Sequence, residues 1–453
     1  MIQPQAPLVL PFVDRLYSDL LKRSLRYFFP RSHFEPAGEM DAMTTELSLL
    51  SGENGAMSIG WLSTRYVFST GAPLTPNELR LLEGIGAVIS ARYRLLFNAT
   101  LAATSFDMFR GLPEDLFVSA YLDPSPYKDL RVLERNPDRI ASAIEVLRAS
   151  SLATYENRRI SAGVLLFGEE PDPCHPPPPV PQDAFPYNTG LLSIKSFYRI
   201  GDSLDTLALV DPGGLLVALA DVSEWALPFY GQSLPAPMSV RYQAHCQATL
   251  CGGHICMVLT PNGEIKIFAR GEQVFRYIGG RWLLTDASEK FEGWRKAIGD
   301  DDLSERLFAS ALNLAESRRG ALFVVMDDPS LTGELVAPAD LLNRGEPVQP
   351  DDPAIPDRNR IHYLLRGKRI MDLAPSLIET IANVDGAIVL DRESNLLAFG
   401  AILRSLAGPW TQTTVEGGRT TAALGASRYG NVLKVSEDGL VSFYSAGRRV
   451  WEM

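Results

Sequence analysis

Three short clusters in the last quarter of the chain hold residue types that handle phosphates and metal ions: Asp385-Gly386-Ala387, Gly418-Arg419-Thr420-Thr421 and Ser436-Glu437. A carboxylate such as Asp385 can hold Mg²⁺ or Mn²⁺ beside a hydroxyl and a phosphate. Gly386 permits close backbone approach to a ribose or a phosphate. Arg419 can fork two hydrogen bonds onto phosphate oxygens. Thr420 and Thr421 can donate their hydroxyls there, and Glu437 can support a metal ion. Each cluster also has an ordinary reading. Asp-Gly ahead of an apolar run is most often a turn entering a strand, and an arginine after two glycines is most often a solvated loop residue.

A second constellation lies further forward. His245-Cys246, Cys251 and His254-x-Cys256 form a dense Cys/His run. Zinc needs four such ligands converging tetrahedrally. The spacing fits no common zinc pattern, and small buried cysteines are frequent in cores, so metal binding is the minority reading. Cys174-His175 stands alone in a proline-rich loop.

These residues need elements to position them. Residues 12–29 carry Leu16, Leu20, Leu21, Leu25 and Phe28 at helical spacing. Thr75-Pro76-Asn77-Glu78 reads as a capped helix start, with the helix running to about Phe97. Asn136-Pro137 opens another helix, followed by a strand at Ala162–Phe167. The segment 302–317 reads as a helix leading into the apolar run Ala321–Met326.

The order of these elements repeats. Asp385 and Asp391 bracket one apolar strand, and Asp205 and Asp211 bracket another, both at an offset of 180 residues. Each is followed by a turn and a second apolar strand. NVLKVSEDGLVSFYSAGRRVW and ICMVLTPNGEIKIFARGEQVF then share a strand, a Gly turn and a second strand. Order and spacing together point to a tandem duplication, roughly 139–292 and 301–453, with residues 1–138 ahead of it.

The second repeat resembles the diadenylate cyclase domain, which is also the nucleotide-binding domain at the front of DNA-integrity scanning proteins. The resemblance covers about 150 residues. It rests on Arg319-Gly320-Ala321-Leu322, on Asp385-Gly386-Ala387 with the following AFGAIL, and on Gly418–Gly425 in the place of the family's Gly-Thr-Arg-His-Arg-Ala-Ala segment. Ser436-Glu437 stands in the place of the family's Ser-Glu pair. The resemblance implies an α/β (α+β) fold of tandem domains, each a mixed central sheet flanked by helices, plus an N-terminal α+β sensor domain. It implies that each domain holds one ATP, that two domains face each other, and that two ATP molecules condense into cyclic di-AMP with the help of Mg²⁺ or Mn²⁺. On that basis Asp385 and Arg419 are the catalytic candidates, Asp385 also being the metal ligand. Gly386, Ala387, Gly418, Thr420, Thr421, Ser436 and Glu437 are the nucleotide-binding candidates.

The chain departs from the family pattern where Arg-His-Arg becomes Arg419-Thr420-Thr421, which removes one guanidinium and the imidazole. A charge-assisted hydrogen bond is worth roughly 1.5–3 kcal/mol, so a catalytically inactive nucleotide-binding sensor stays open as the alternative. The first repeat departs further: Thr206-Leu207 follows Asp205, His245 lies near the place of Arg419, and Thr260-Pro261 replaces Ser-Glu. It reads as a degenerate relative, packing in an internal pseudo-dimer or leaving the second repeat to pair in a homo-oligomer.

Composition bounds the rest. With 453 residues the expectation is about three domains of roughly 150 residues each. A net charge of −11 repels phosphate backbones, so no DNA partner is expected, and a local basic pocket remains compatible. No apolar stretch approaches the roughly 20 residues that span a bilayer, and four cysteines make no disulfide framework. The expectation is a cytoplasmic protein without a signal peptide, whose partner is ATP or a cyclic dinucleotide.

Overall fold

The computed structural model describes residues 11–30, 32–50, 56–71, 73–97, 106–128, 138–155, 158–176, 179–200, 203–342, 362, 364–404 and 417–453. It is a mixed α/β (α+β) protein. Its contacts divide it into two compact units, residues 1–232 with 245–286, and residues 233–244 with 287–453. Among the described residues no helix is long and apolar enough to cross a membrane.

In the first unit, helix α1 (Pro11–Phe28) precedes a long antiparallel hairpin, β1 (His33–Leu50) and β2 (Ala56–Ser69). Helix α2 (Pro76–Leu96) starts where the sequence places it. The Thr75 hydroxyl accepts from the Glu78 N–H, and the Glu78 carboxylate accepts from the Thr75 N–H. Its glycines have a packing reason. A Cβ at Gly84 would sit 3.0 Å from the backbone nitrogen of Tyr121, so only glycine lets α2 lie this close to α3 (Pro113–Leu122). Helix α4 (Arg139–Ser151) is capped by the Asp138 carboxylate; the proposed opening at Asn136-Pro137 lies outside the described residues.

A sheet of eight strands follows: β3 (Ala162–Leu166), β4 (Phe185–Pro186), β5 (Thr206–Val210), β6 (Leu215–Asp221), β7 (Ile255–Leu259), β8 (Ile265–Ala269), β9 (Glu272–Ile278) and β10 (Arg281–Leu284). The spatial order is β10-β9-β8-β7-β3-β5-β6-β4. One core joins it to the preceding segment: Leu25, Trp61, Ile89, Phe117 and Leu147 are buried in the same cluster as Val164, Met257, Ile267 and Trp282. Beneath it the Asp115 carboxylate accepts from the Arg148 guanidinium and from Trp282 Nε1, so a buried charge is paired.

The short helix α5 is Gln243–Gln247; the second unit carries helix α6 (Ala287–Ile298), helix α7 (Asp301–Glu316) and a six-stranded sheet. Helix α7 is capped by Asp300 and buries Leu303, Leu307, Ala311 and Leu314 at i, i+4 and i+3 steps. The strands are β11 (Ala321–Met326), β12 (Ala387–Asp391), β13 (Leu396–Ala401), β14 (Gly430–Val435), β15 (Val441–Ser445) and β16 (Arg448–Glu452), ordered β13-β12-β11-β14-β15-β16. Both faces of β11 are covered, which explains its unbroken apolar sequence. Phe323 and Val325 face the layer of α6, α7 and α8 (Pro375–Ala382), and Leu322, Val324 and Met326 face α9 (Gly418–Ala426).

The two sheets share one strand order. In each, a central strand pairs in parallel with one later strand and antiparallel with another: β3 with β5 and β7, β11 with β12 and β14. The matched aspartates acquire a role here. Asp211 Oδ1 accepts from Leu215 N at 2.7 Å, and Asp391 Oδ1 accepts from Asn395 N at 2.8 Å. Both close the turn that leads to the following strand.

Candidate functional site

The register of the second sheet gathers the candidate residues at one end. Phe323 pairs with Ile388, which puts Gly320 and Asp385 level with each other just before β11 and β12. Ala321 pairs with Val435, so Ser436 and Glu437 begin the turn beyond β14 at the same end. Helix α9 starts there too. Arg419 Cζ lies 2.6 Å from where a Cβ of Gly320 would sit, so the guanidinium covers the first residue before β11. Neighbouring strands are about 4.8 Å apart, which leaves Arg419 roughly one strand spacing from the level of Asp385.

Asp385 is exposed, and Gly386 has a φ of +118°. A Cβ at Gly386 would lie 2.7 Å from Ala401 N and 2.8 Å from Ala401 O. The close approach that this glycine permits is therefore to strand β13, and no ribose or phosphate is needed to explain it. Ala387 is buried and faces the α9 side of the sheet. Ser436 closes the β14–β15 turn, its N–H donating to Leu440 O at 2.9 Å and its carbonyl accepting from Gly439 N at 2.9 Å.

Arg419 and Glu437, assigned by the resemblance to phosphate and metal, meet each other. Arg419 Nη1 donates to Glu437 Oε1 at 2.7 Å, with side-chain exposures of 39% and 69%. Such a solvated pair contributes only about 0–1 kcal/mol, so an incoming phosphate can displace the carboxylate. Thr421 Oγ1 donates back to Gly417 O at 3.4 Å. Thr420 has a partner that the sequence reading missed: Lys434 Nζ donates to its Oγ1 at 2.9 Å. The only advance signal for Lys434 was one charge inside the apolar run NVLKV.

Among the described residues no group of three His, Cys, Asp or Glu side chains could hold a metal ion. At this edge Asp385 presents one exposed carboxylate and Glu437 a second, turned to Arg419; a lone carboxylate such as Asp385 suits an Mg²⁺ held mostly by water and by substrate phosphates.

The first sheet has no comparable opening. The Leu207 side chain lies against the Cα of Gly163, occupying the place a Cβ there would take. His245 is wholly buried, with Nε2 2.8 Å from Leu204 O and its ring against Phe268. Counted from the matching strand pairs, Gln243 corresponds to Arg419 and His245 to Thr421. The Cys/His run does not converge either. Cys246 and Cys256 are core residues, and burial pushes both thiols well above the ordinary range. His254 instead clasps the proline-rich loop. Gly168 N donates to its Nδ1 at 3.0 Å, which leaves the proton on Nε2, 3.0 Å from Asp172 Oδ2. Burial lowers the pKa of His254, the Asp172 carboxylate opposing it. His175 completes the clasp, 3.2 Å from Asp172 Oδ2 and stacked on Trp225.

The first unit also holds a cavity of about 820 Å³, lined among others by Met108, Tyr127, Arg139, Tyr187 and Leu215. Its carboxylates are largely committed to structure: Asp115 to Arg148 and Trp282, and Asp138 to Ser119, Tyr127 and the start of α4. Residues 106–128 contribute to its wall, which no local pattern in the sequence announces.

No protein-family model matches the chain, and no curated protein matches it. Among solved structures it is similar to a hypothetical membrane spanning protein from Bacillus cereus, with 21% identity and a TM-score of 0.25 over 35% of this chain and 69% of that one. It is also similar to a double mutant of DacA from Staphylococcus aureus, with 19% identity and a TM-score of 0.21 over 35% of this chain and 88% of that one. The likeness is weak and partial.

Proposed function

We propose that the edge of the second sheet binds ATP, in the manner of a diadenylate cyclase domain. The observation that supports this reading best is the register of the sheet. It brings Asp385, Arg419, Thr420 and Glu437 to one end although they span 52 residues of sequence. In this reading Arg419, Thr420 and Thr421 hold the phosphates, and Asp385 holds the ion that accompanies them. A bound Mg²⁺ or Mn²⁺ supplies Lewis-acid polarisation of the phosphate and lowers the pKa of the attacking hydroxyl. In the reaction each 3′-oxygen forms a bond to the α-phosphorus of the other ATP, each α-phosphorus breaks its bond to the departing pyrophosphate, and the two hydroxyl protons leave to solvent. Cyclic di-AMP and two pyrophosphates result.

Two nucleotides must face each other. The place in the first sheet that corresponds to this site is filled by Leu207 and His245. The second ATP then comes on another copy of the chain, so turnover should rise more than linearly with protein concentration.

A second reading, an ATP-binding protein that does not cyclise, is favoured by one observation: the Arg419 guanidinium is already engaged with Glu437. Incubation with ATP and Mn²⁺, followed by mass spectrometry, separates the two. Cyclic di-AMP that disappears in Asp385→Asn and persists in Asp205→Asn supports the cyclase. Saturable ATP binding without product supports the sensor, and no ATP binding refutes both.

A further inference from the structure

Lys434 is a buried charged residue at this edge that no part of the proposed chemistry uses. It sits on β14, its side of the strand facing α9, and is 8% exposed. None of the ion pairs among the described residues involves it. Its Nζ donates to the neutral Thr420 Oγ1. Thr420 belongs to the first turn of α9, the positive end of that helix. That end is bare: Gly417 provides no side-chain cap, and the first backbone N–H to find an intrahelical carbonyl is that of Thr421. Among the described residues nothing lies within 4 Å of where side chains at Gly417 and Gly418 would be. Under the same helix the Tyr444 hydroxyl is wholly buried, with the Thr420 and Ser442 hydroxyls beside it.

A buried ammonium beside the positive end of a helix is unfavourable unless an anion comes near. Among the described residues the Glu437 carboxylate at this end is turned to Arg419. Lys434 also fixes the sense of the Thr420 hydroxyl. Because Oγ1 accepts from Nζ, the hydroxyl hydrogen points away from the lysine, and it can turn from Tyr444 to an incoming phosphate. Resting on the ATP site proposed above, we infer that Lys434 is a positioning residue for the triphosphate. It orients Thr420 as a donor and supplies the second positive charge that Arg419-Thr420-Thr421 lacks, from the strand beneath the helix.

The test compares ATP with adenosine, which shares the base and ribose and lacks the phosphates. Calorimetry on the full chain should show Lys434→Met weakening ATP by roughly ten- to a hundredfold while adenosine stays within twofold. Lys434→Arg should recover most of the ATP affinity. Thr420→Val should cost ATP affinity too, and adding it to Lys434→Met should cost little more. Equal losses for ATP and adenosine, or no loss for either, overturn the inference while the ATP site stands. A native chain that binds ATP no more tightly than adenosine removes the phosphate site itself, and the inference with it.

Discussion

Replacing Gly386 by alanine separates the two jobs that a glycine can do at this edge. Its φ of +118° lies where L-residues are strained, at a cost of about 1–3 kcal/mol. The new Cβ would also fall against Gly400 C and within 2.7–2.8 Å of the Ala401 backbone. Backbone of a paired strand cannot rotate aside as a side chain can, so a further ~1–3 kcal/mol of overpacking applies. Gly386→Ala should therefore destabilise the β12–β13 pair by roughly 2–6 kcal/mol. Gly418→Ala is the contrast. Nothing stands within 4 Å of its Cβ position, and it begins a helix, so it should leave stability unchanged or raise it by up to ~1 kcal/mol. Because two units make global unfolding a poor two-state measure, the assay is amide exchange of residues 387–401 by mass spectrometry. Exchange there should accelerate by tenfold or more in Gly386→Ala and stay at the native rate in Gly418→Ala. If Gly386→Ala exchanges at the native rate, the close approach to β13 does not constrain this strand and the reasoning fails. ATP affinity adds a second readout: Gly418→Ala places a methyl in the open space at the head of α9 and should weaken ATP if phosphate lies there.

The remaining expectations concern the first unit. Arg148→Met leaves the Asp115 carboxylate buried with the Trp282 indole N–H as donor and no cation beside it, and should destabilise the unit by about 3–5 kcal/mol in urea unfolding followed by tryptophan fluorescence; a change under 1 kcal/mol would show that the pair carries no such weight. The clasp of Asp172 and His254 should loosen with acid. The pKa of His254 is lowered below 6.5 by burial, so the unfolded chain binds its proton first and stability falls as pH drops through about 6.5. Burial opposes ionisation of Asp172, and the N–H donors of Cys174, His254 and His175 outweigh it, leaving the carboxyl below its usual 3.8. Its contribution is present above that value and lost below it. Amide exchange at Gly168 followed from pH 8 to pH 5, after correction for the intrinsic rate, should show protection falling below pH 6.5, and a flat profile would contradict the assignment.

What could be read in advance was local or periodic. The start of α2 follows from Thr75, Pro76 and Glu78, because a capping box is made within four residues. The helix at 301–316 and the strand at 321–326 follow from the spacing of their apolar residues. The matched offset of Asp205, Asp211, Asp385 and Asp391 pointed to a repeated order of elements; the matching pairings around the two central strands are seen only in the structure. The chemistry of the site was legible only as residue types. Tertiary structure decided their partners: Arg419 with Glu437, Thr420 with Lys434, and Asp172 with His254 across 82 residues. It also decided that the glycine of Asp-Gly-Ala serves the neighbouring strand and that two of the clustered cysteines are core. The physical reason is strand order. In the second sheet β14 inserts beside β11, more than a hundred residues earlier in the chain, and that choice rests on burying apolar faces of distant segments together. Which polar side chains then meet at the sheet's end is a consequence of that register, and no local pattern encodes it.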